Sequence, residues 1–470
     1  MSAGYTLGIS SYFHDSAAAL LHGSDVIAAA QEERFTRKKA DASFPQNAIA
    51  YCLSLLPAGT APDQVAYFES PALKADRIVR NAAAQAPRGA SIWPQTRRTL
   101  RQLAEDLPDA LTALSDDPRR IHFVPHHRSH AASAFYPAPF TEAAVLVADG
   151  VGEWSTTTLW TGRGTALDPV GEIRFPHSLG LFYSAVTQYC GFKVNSGEYK
   201  LMGLAPFGLP EFRAKMQDML IDVKADGSFA LDMAYFDFAT GFSTTSPLFA
   251  DLFGRPDRHP NDPIDQFYMN MAASAQSVLE DVMVRLSTTL LERTGQRNLC
   301  LAGGVALNCV ANRALLRDVP GLDALWVQPA AGDAGGALGA ALDVAHRNAP
   351  TKAKRSFDVL LGPGFDDAEI AEALDAADLV YERPGALAET TAEALAAGQI
   401  IGHFDGRMEF GPRALGNRSI LADPRSTDAL SRVNKSIKFR EDWRPFAPMV
   451  LAAHAATYFE PPVESPHMLL

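Results

Sequence analysis

The sequence predicts an α/β protein in which one strand-rich unit is used twice and a smaller second domain follows. Three observations carry that prediction. First, "YTLGISSYFHDSAAALLHGSDVIAAAQEERFTR" reads as a strand, a polar turn carrying His14, Asp15 and Ser16, a second strand, a Gly-Ser-Asp turn and a third strand. Second, "AAVLVADGVGEWSTTTLWTGRGTALDPVGEIRF" reads the same way: a strand ends at Asp149 and Gly150, a Ser/Thr-rich strand follows, and Gly162 to Gly164 makes the next turn. Third, after His346 the stretch "RNAPTKAKRS" is basic, polar and without periodicity, which marks a linker. The boundaries that follow are residues 1–346 for the first domain, 347–356 for the linker and 357–470 for the second domain.

The two strand-rich segments each place a polar cluster at the turn after an opening hydrophobic strand. That is the organisation of the duplicated actin-like nucleotide-binding fold. Between them lies "VPHHRSHAASAF", residues 124–135. Pro125 suits a first helical turn, the alanines continue the helix, and Pro137 and Pro139 stop it before "YPAPF". His126 and His130 are four apart, so on a helix their rings share one face and can share one metal ion. His127 points off that face, toward a supporting or substrate role. Two imidazoles do not complete a coordination shell, so further ligands must come from elsewhere.

Farther on, "DQFYMNMAASAQSVLEDVMVRLSTTLLERTG" has apolar residues at helical spacing and stops at Gly295, which predicts a long packed helix. "NLCLAGGVALNCVANRALL" runs from an apolar strand through Gly303 and Gly304 straight into a helix near Val305. Two glycines let a backbone approach a ligand, and a helix start offers unpaired N–H groups to a phosphate or nucleoside. A Gly-Gly turn also serves as plain connection. "LWVQPAAGDAGGALGAAL" repeats the pattern with Asp333 in the turn, and two such turns on adjacent strands form one crevice at the carboxyl ends of a sheet.

The second domain holds "GHFDGRMEFGPRALGNRSILADPRS" and "VNKSIKFREDWRPFAPMVL", both rich in Arg and Lys. In an extended strand Lys438 and Arg440 fall on one face. With Arg413, Arg418 and Arg444 they form a candidate site for one anionic ligand, which the Arg fork suits. A solvated basic face is the competing reading.

Composition narrows the function classes. The chain has 470 residues, 47% hydrophobic and 20% charged, which is ordinary for a protein with large buried cores. Its net charge of −12 disfavours sequence-independent nucleic-acid binding and points to small molecules or proteins. Four cysteines without a Cys-x-x-Cys pair suggest neither a disulfide framework nor a zinc ribbon, so a cytoplasmic location is expected. No secretory leader or membrane span is expected either, because no stretch approaches the roughly 18 apolar residues a span needs. Nothing in the sequence sets an oligomeric state.

Taken together, "FHDSAAAL", "EERFTRKK", "HHRSHAASAF", "VADGVGEWSTT", "GEYKLMGLAPFG", "LAGGVALN", "GDAGGALGAAL", "GPRALGNRSIL" and "IKFREDWRPFAP" resemble the O-carbamoyltransferases of nodulation and antibiotic tailoring, in order and over nearly the whole chain. Members carbamoylate hydroxyl groups of aminoglycosides, cephalosporins, ansamycins and lipo-oligosaccharides. The resemblance implies a Kae1-like actin-fold domain followed by a YrdC-like domain. Since the family's YrdC-like domain continues past "SPHMLL", it implies a C-terminally incomplete one here, which touches the adenylation half-reaction more than the transfer.

The resemblance also implies the site. Asp149 and Asp333 join His126 and His130 as metal ligands, a set that suits iron(II), favoured by the family, or manganese or zinc. ATP with Mg and carbamoyl phosphate are expected at Arg413, Arg418, Lys438, Arg440 and Arg444, where carbamoyl adenylate is made. Gly150, Glu198, Gly303, Gly304 and Asn308 are expected to hold that intermediate, with Glu198 on the ribose. His14 is the expected base for the acceptor hydroxyl, and Tyr12 and Lys39 are expected to face the acceptor, a hydroxylated small molecule. The competing classes are a tRNA threonylcarbamoyl-type transferase, which the acidic balance disfavours, and a non-catalytic nucleotide-binding regulator.

Overall fold

The computed structural model describes residues 4–347, 357–459 and 464–470. Most of the expected linker, 347–356, therefore lies outside the described residues. The chain divides into two compact units, residues 1–358 with 469–470, and residues 359–468.

The first unit contains two five-stranded sheets with one topology. In the first, β1 (Tyr5–Ser10), β2 (Ala17–His22) and β3 (Asp25–Gln31) form an antiparallel meander. β4 (Gln64–Tyr67) pairs parallel to β1, and β5 (Ile121–Phe123) parallel to β4, giving the order β3-β2-β1-β4-β5. In the second, β6 (Glu142–Ala148), β7 (Ser155–Arg163) and β8 (Ala166–Arg174) repeat the meander. After a small hairpin of β9 (Ile221–Val223) and β10 (Phe229–Leu231), β11 (Asn298–Ala302) and β12 (Ala324–Val327) add parallel strands beyond β6. The repeated 3-2-1-4-5 order is the duplicated actin-like arrangement expected from the two segments. The inner strands read as continuous apolar runs because they are buried on both faces: Leu7, Ile9, Ala18, Leu20 and Val145 are fully inaccessible.

Glycine and alanine in "GDAGGALGAALDVAH" have a packing cause. This helix, Asp333–His346, is almost wholly buried. A Cβ on Gly8 of β1 would lie 2.0 Å from Ala337 O, and one on Gly339 would lie 1.7 Å from Ser129 O. The helix thus passes at backbone contact between the first sheet and the His126–Phe135 helix, an approach no larger residue permits. That close approach carries Asp333 to the histidines.

The long helix is present as Gln266–Thr294, with Gly295 left-handed at its end. The helix expected near Val305 begins later. A short 3₁₀ turn covers Gly304–Leu307, and the α-helix runs Cys309–Asp318 with Asn308 as its cap, its side chain accepting from Ala311 N at 3.0 Å. Among the described residues no helix is long and apolar enough to cross a membrane.

The second unit carries the helices Asp367–Ala376 and Leu387–Ala396 and an antiparallel pair, β13 (Ile401–Phe404) with β14 (Arg418–Leu421). The extended strand expected to align Lys438 and Arg440 is absent. Residues Val433–Lys438 form a π-helical turn, and Phe439 takes a left-handed conformation with φ 46°. A helical turn does not place residues two apart on one face, so the alignment argument fails there.

Candidate active site and metal centre

Strand ends deliver the polar residues to one place. His14 lies in the turn after β1, His126 follows β5, Asp149 follows β6 and Asp333 opens the helix after β12. The resulting crevice lies at the carboxyl ends of both sheets. His126, His130, Asp149 and Asp333 are all buried, and one donor atom from each lies within 4.8 Å of the others. The His126 and His130 Nε2 atoms are 3.1 Å apart. His126 Nε2 is 3.2 Å from Asp149 Oδ2, and His130 Nε2 is 3.6 Å from Asp333 Oδ1.

The electrostatics ask for a cation. Burial opposes the imidazolium of His126, yet Asp149, Asp333 and Glu153 outweigh it and push its pKa up to about 9. Burial likewise opposes the charge on His14, and Asp333, Asp15 and Asp149 overcome it, again to about 9. Burial works to raise the Asp149 carboxyl, but the three histidines around it hold it well below the usual range. Asp333 Oδ2 is buried with no hydrogen-bond partner among the described residues. Two imidazole nitrogens and two carboxylates gathered in a buried site fit a divalent first-row metal.

Neighbours fix this set. Glu153 accepts from His126 N at 3.0 Å and from Ser70 N at 2.7 Å, so one carboxylate pins the start of the histidine helix. Phe68 packs on the His126 ring at 5.2 Å. Ring orientation rests on such packing, because Nδ1 of both His126 and His130 is buried without a partner among the described residues. His127 turns away into the protein, 3.0 Å from Thr158 Oγ1. Burial and the neighbouring His126 push it down to about 3, so it stays neutral against β7, and of the supporting and substrate roles expected for it this contact fits the supporting one.

His14 stands beside the cluster, Nε2 3.8 Å from Asp333 Oδ2, with Nδ1 2.9 Å from Asp15 Oδ2. Tyr12 is left-handed, its N–H bonded to Ala42 O and its ring 6.1 Å from that of Phe44. Exposed Lys39 places Nζ 4.9 Å over the Tyr199 ring, next to Glu198. The Glu198 carboxylate accepts from Ser184 Oγ, Asn195 N and Gly197 N, holding the start of its own helix. Gly150 has open space at its Cβ position.

Three expected ligand contacts are used by the protein itself. The Gly304 N–H, expected to be free for a phosphate, donates to Asp149 Oδ1 at 2.8 Å and so orients the aspartate. Gly303 is required by a close approach, since its Cβ would lie 2.2 Å from Ala148 O. The Asn308 amide is committed to its helix cap and to a reciprocal pair with Gln276, at 2.9 and 3.0 Å. In the second unit, Arg418 donates to the carbonyls of Asp405, Asn417, Pro363 and Gly406 and stacks 3.6 Å over Phe404. A fork spent on four carbonyls is not an anion receptor, which corrects its assignment. Arg440 bonds Asn434 Oδ1 at 2.6 Å and covers Phe446, Arg444 lies 3.8 Å from Glu441, Lys438 is exposed and Arg413 is half-buried. Glu153 and Glu409 escaped the sequence reading. Glu409 accepts from the N–H groups of Leu415, Asn417 and Arg418, and a lone acidic residue carries no pattern announcing such a role.

A duplicated two-sheet fold carries at its crevice a buried His₂Asp₂ cluster that could hold a metal ion. The chain belongs to the carbamoyltransferase family: residues 5–342 match the carbamoyltransferase N-terminus and residues 392–470 the carbamoyltransferase C-terminus. It is 51% identical to an uncharacterized protein of Synechocystis over 99% of this chain and 78% of the relative. It is 37% identical to nodulation protein NolNO of Sinorhizobium fredii, covering 96% of this chain and 64% of the relative. Nodulation protein U of Rhizobium tropici is 29% identical over 97% of this chain and 79% of that protein.

Proposed function

We propose that this protein moves a carbamoyl group from carbamoyl phosphate to a hydroxyl of a small molecule, through carbamoyl adenylate made with ATP. The observation that carries the reading is the buried His126, His130, Asp149 and Asp333 cluster beside His14 in a carbamoyltransferase-family chain. In the first half-reaction water hydrolyses carbamoyl phosphate to carbamate and phosphate, and the carbamate oxygen attacks the α-phosphorus of ATP, releasing pyrophosphate. Arg413 and Arg444 are the second unit's candidates for the anions. In the second, the acceptor oxygen attacks the carbamoyl carbon and AMP leaves.

Nitrogen donation makes a carbamoyl group a poor electrophile, so the better leaving group is what the adenylate contributes. A divalent ion, iron(II), manganese or zinc, held by the four ligands would polarise the carbonyl or screen the leaving phosphate, and would offset the carboxylates that keep a proton on His14. Asp15 holds the His14 Nδ1 side, which turns Nε2 toward the crevice as the group that takes the hydroxyl proton. Glu198, partly exposed, retains acceptor capacity for ribose hydroxyls.

The test is transfer from synthetic carbamoyl adenylate to a panel of hydroxylated acceptors, read by mass spectrometry as a carbamoyl increment. No increment with any acceptor, on protein shown to bind metal, would reject the reading.

A further inference from the structure

Next to the crevice lies a cavity of about 210 Å³ that none of the expected site residues lines. It runs along the helix Pro71–Gln85 and is walled by Trp93, Phe175 and Phe238, with Arg77 and Arg88 in its lining and no Asp or Glu. In a protein of net charge −12, a pocket lined by two guanidiniums and no acid is a local environment that favours an anion.

Arg77 is the distinctive group. Its Nε is buried without a partner, its guanidinium lies 5.4 Å over the Phe175 ring, and no carboxylate pairs with it within 4 Å among the described residues. The acids that could do so are taken. Glu69 holds Lys74 at 2.7 Å, and Glu153 holds the Ser70 and His126 amides. A half-buried arginine whose fork is open toward an aromatic pocket is an incomplete ion pair.

The cavity is tied to the metal ligands through the chain. Two of its wall residues, Val151 and Leu181, hang from the Asp149 loop: Ser178 Oγ donates to the Asp149 and Gly150 carbonyls and accepts from Leu181 N at 3.0 Å. The geometry points to this cavity as the subsite for the far end of the acceptor, taking an aromatic group that carries a carboxylate, with Arg77 as its bidentate partner and the three rings as its walls. This rests on the proposed transfer reaction for the word acceptor, but not for the binding itself.

The probe is 2-naphthoate, with neutral 2-naphthamide as its control, titrated by calorimetry into the whole metal-loaded chain. The expected result is that the acid binds about tenfold or more tightly than the amide, and that Arg77→Met removes the preference while metal content is unchanged. Thr96→Trp, which fills the cavity from its half-exposed wall, should weaken both compounds, and it decides the matter if Arg77→Met does not fold. Equal binding of acid and amide to the unmodified chain, or a preference that survives Arg77→Met, overturns the subsite. With an acceptor identified by the transfer screen, 2-naphthoate should inhibit competitively against it. Inhibition that is not competitive overturns the acceptor assignment. Absence of any transfer activity counts against the proposed function and leaves the binding arm standing.

Discussion

The crevice of the first unit and the basic loops of the second both gather charged residues, and they do so to opposite effect. In the crevice, His126, His130, Asp149 and Asp333 converge with donor atoms inward and with too few partners of their own. In the loops, Arg418 spends both terminal nitrogens on carbonyls and Arg440 bonds an asparagine, and each guanidinium also covers an aromatic face. The difference teaches that a cluster of charge signals a ligand when its members leave valences unfilled. Short side chains on helices and strand ends go where the backbone sends them. Long arginines find the nearest carbonyl.

Breaking the crevice should give the largest effect. His130→Ala removes one of four ligands from a site already buried and shaped, so bound metal measured by elemental analysis should fall to background. Transfer should drop by more than about a hundredfold, with the circular dichroism spectrum retained. Unchanged metal stoichiometry would refute the assigned ligand.

Next in size is His14→Asn, which keeps the polar shape of the turn. A general base contributes about a hundredfold to ten-thousandfold, so single-turnover transfer from preformed carbamoyl adenylate should fall by at least the lower figure. Pyrophosphate release should be unaffected. Equal losses in both steps would mark His14 as structural.

The basic loops should respond in two different ways, which sharpens the contrast. Arg444→Ala should weaken carbamoyl phosphate binding far more than binding of carbamoyl adenylate, measured by titration calorimetry. Arg418→Met should leave that binding within a few-fold and instead lower stability to chemical denaturation by about 1–3 kcal/mol, because four carbonyls lose a charged donor. Loss of anion binding in Arg418→Met would restore the reading that the structure replaced.

The smallest effect concerns the loop behind His14. Asp41 accepts from Ser43 N, Ser43 Oγ and Thr36 Oγ1, and its carbonyl holds Ser16 N. Burial acts to raise its pKa, but the bonds from Ser43 and Thr36 prevail and hold it below the usual value of 3.8. A depressed carboxyl contributes stability above its unfolded pKa and loses it as pH falls through the folded one. Asp41→Asn should therefore cost about 1 kcal/mol at pH 7, and the gap to the unmodified protein should close as the pH drops below about 4. A gap independent of pH would mean that the carboxylate's charge is not what holds the loop.

By itself the sequence determined the repeated meander, the histidine helix with its four-residue spacing, the long helix and its glycine stop, and the turns that carry Asp149 and Asp333. Each of these follows from local periodicity and from where proline and glycine stand, and such signals survive without knowledge of the partners. Tertiary structure decided the rest. The glycines of "GDAGGALG" read as a ligand-binding turn, but they exist because one helix slides at backbone contact past β1 and the histidine helix. Gly304 N–H, Asn308 and Arg418 are ligand-binding types by sequence, and each was claimed by a neighbour far away in the chain. Glu153 sits inside a quoted motif without a role that the motif announces, and Arg77 sits in none, since their roles come from a helix start and a cavity built by segments far apart in the chain. A polar group takes the partner that removes its desolvation cost, and only the folded chain says which partner is within reach.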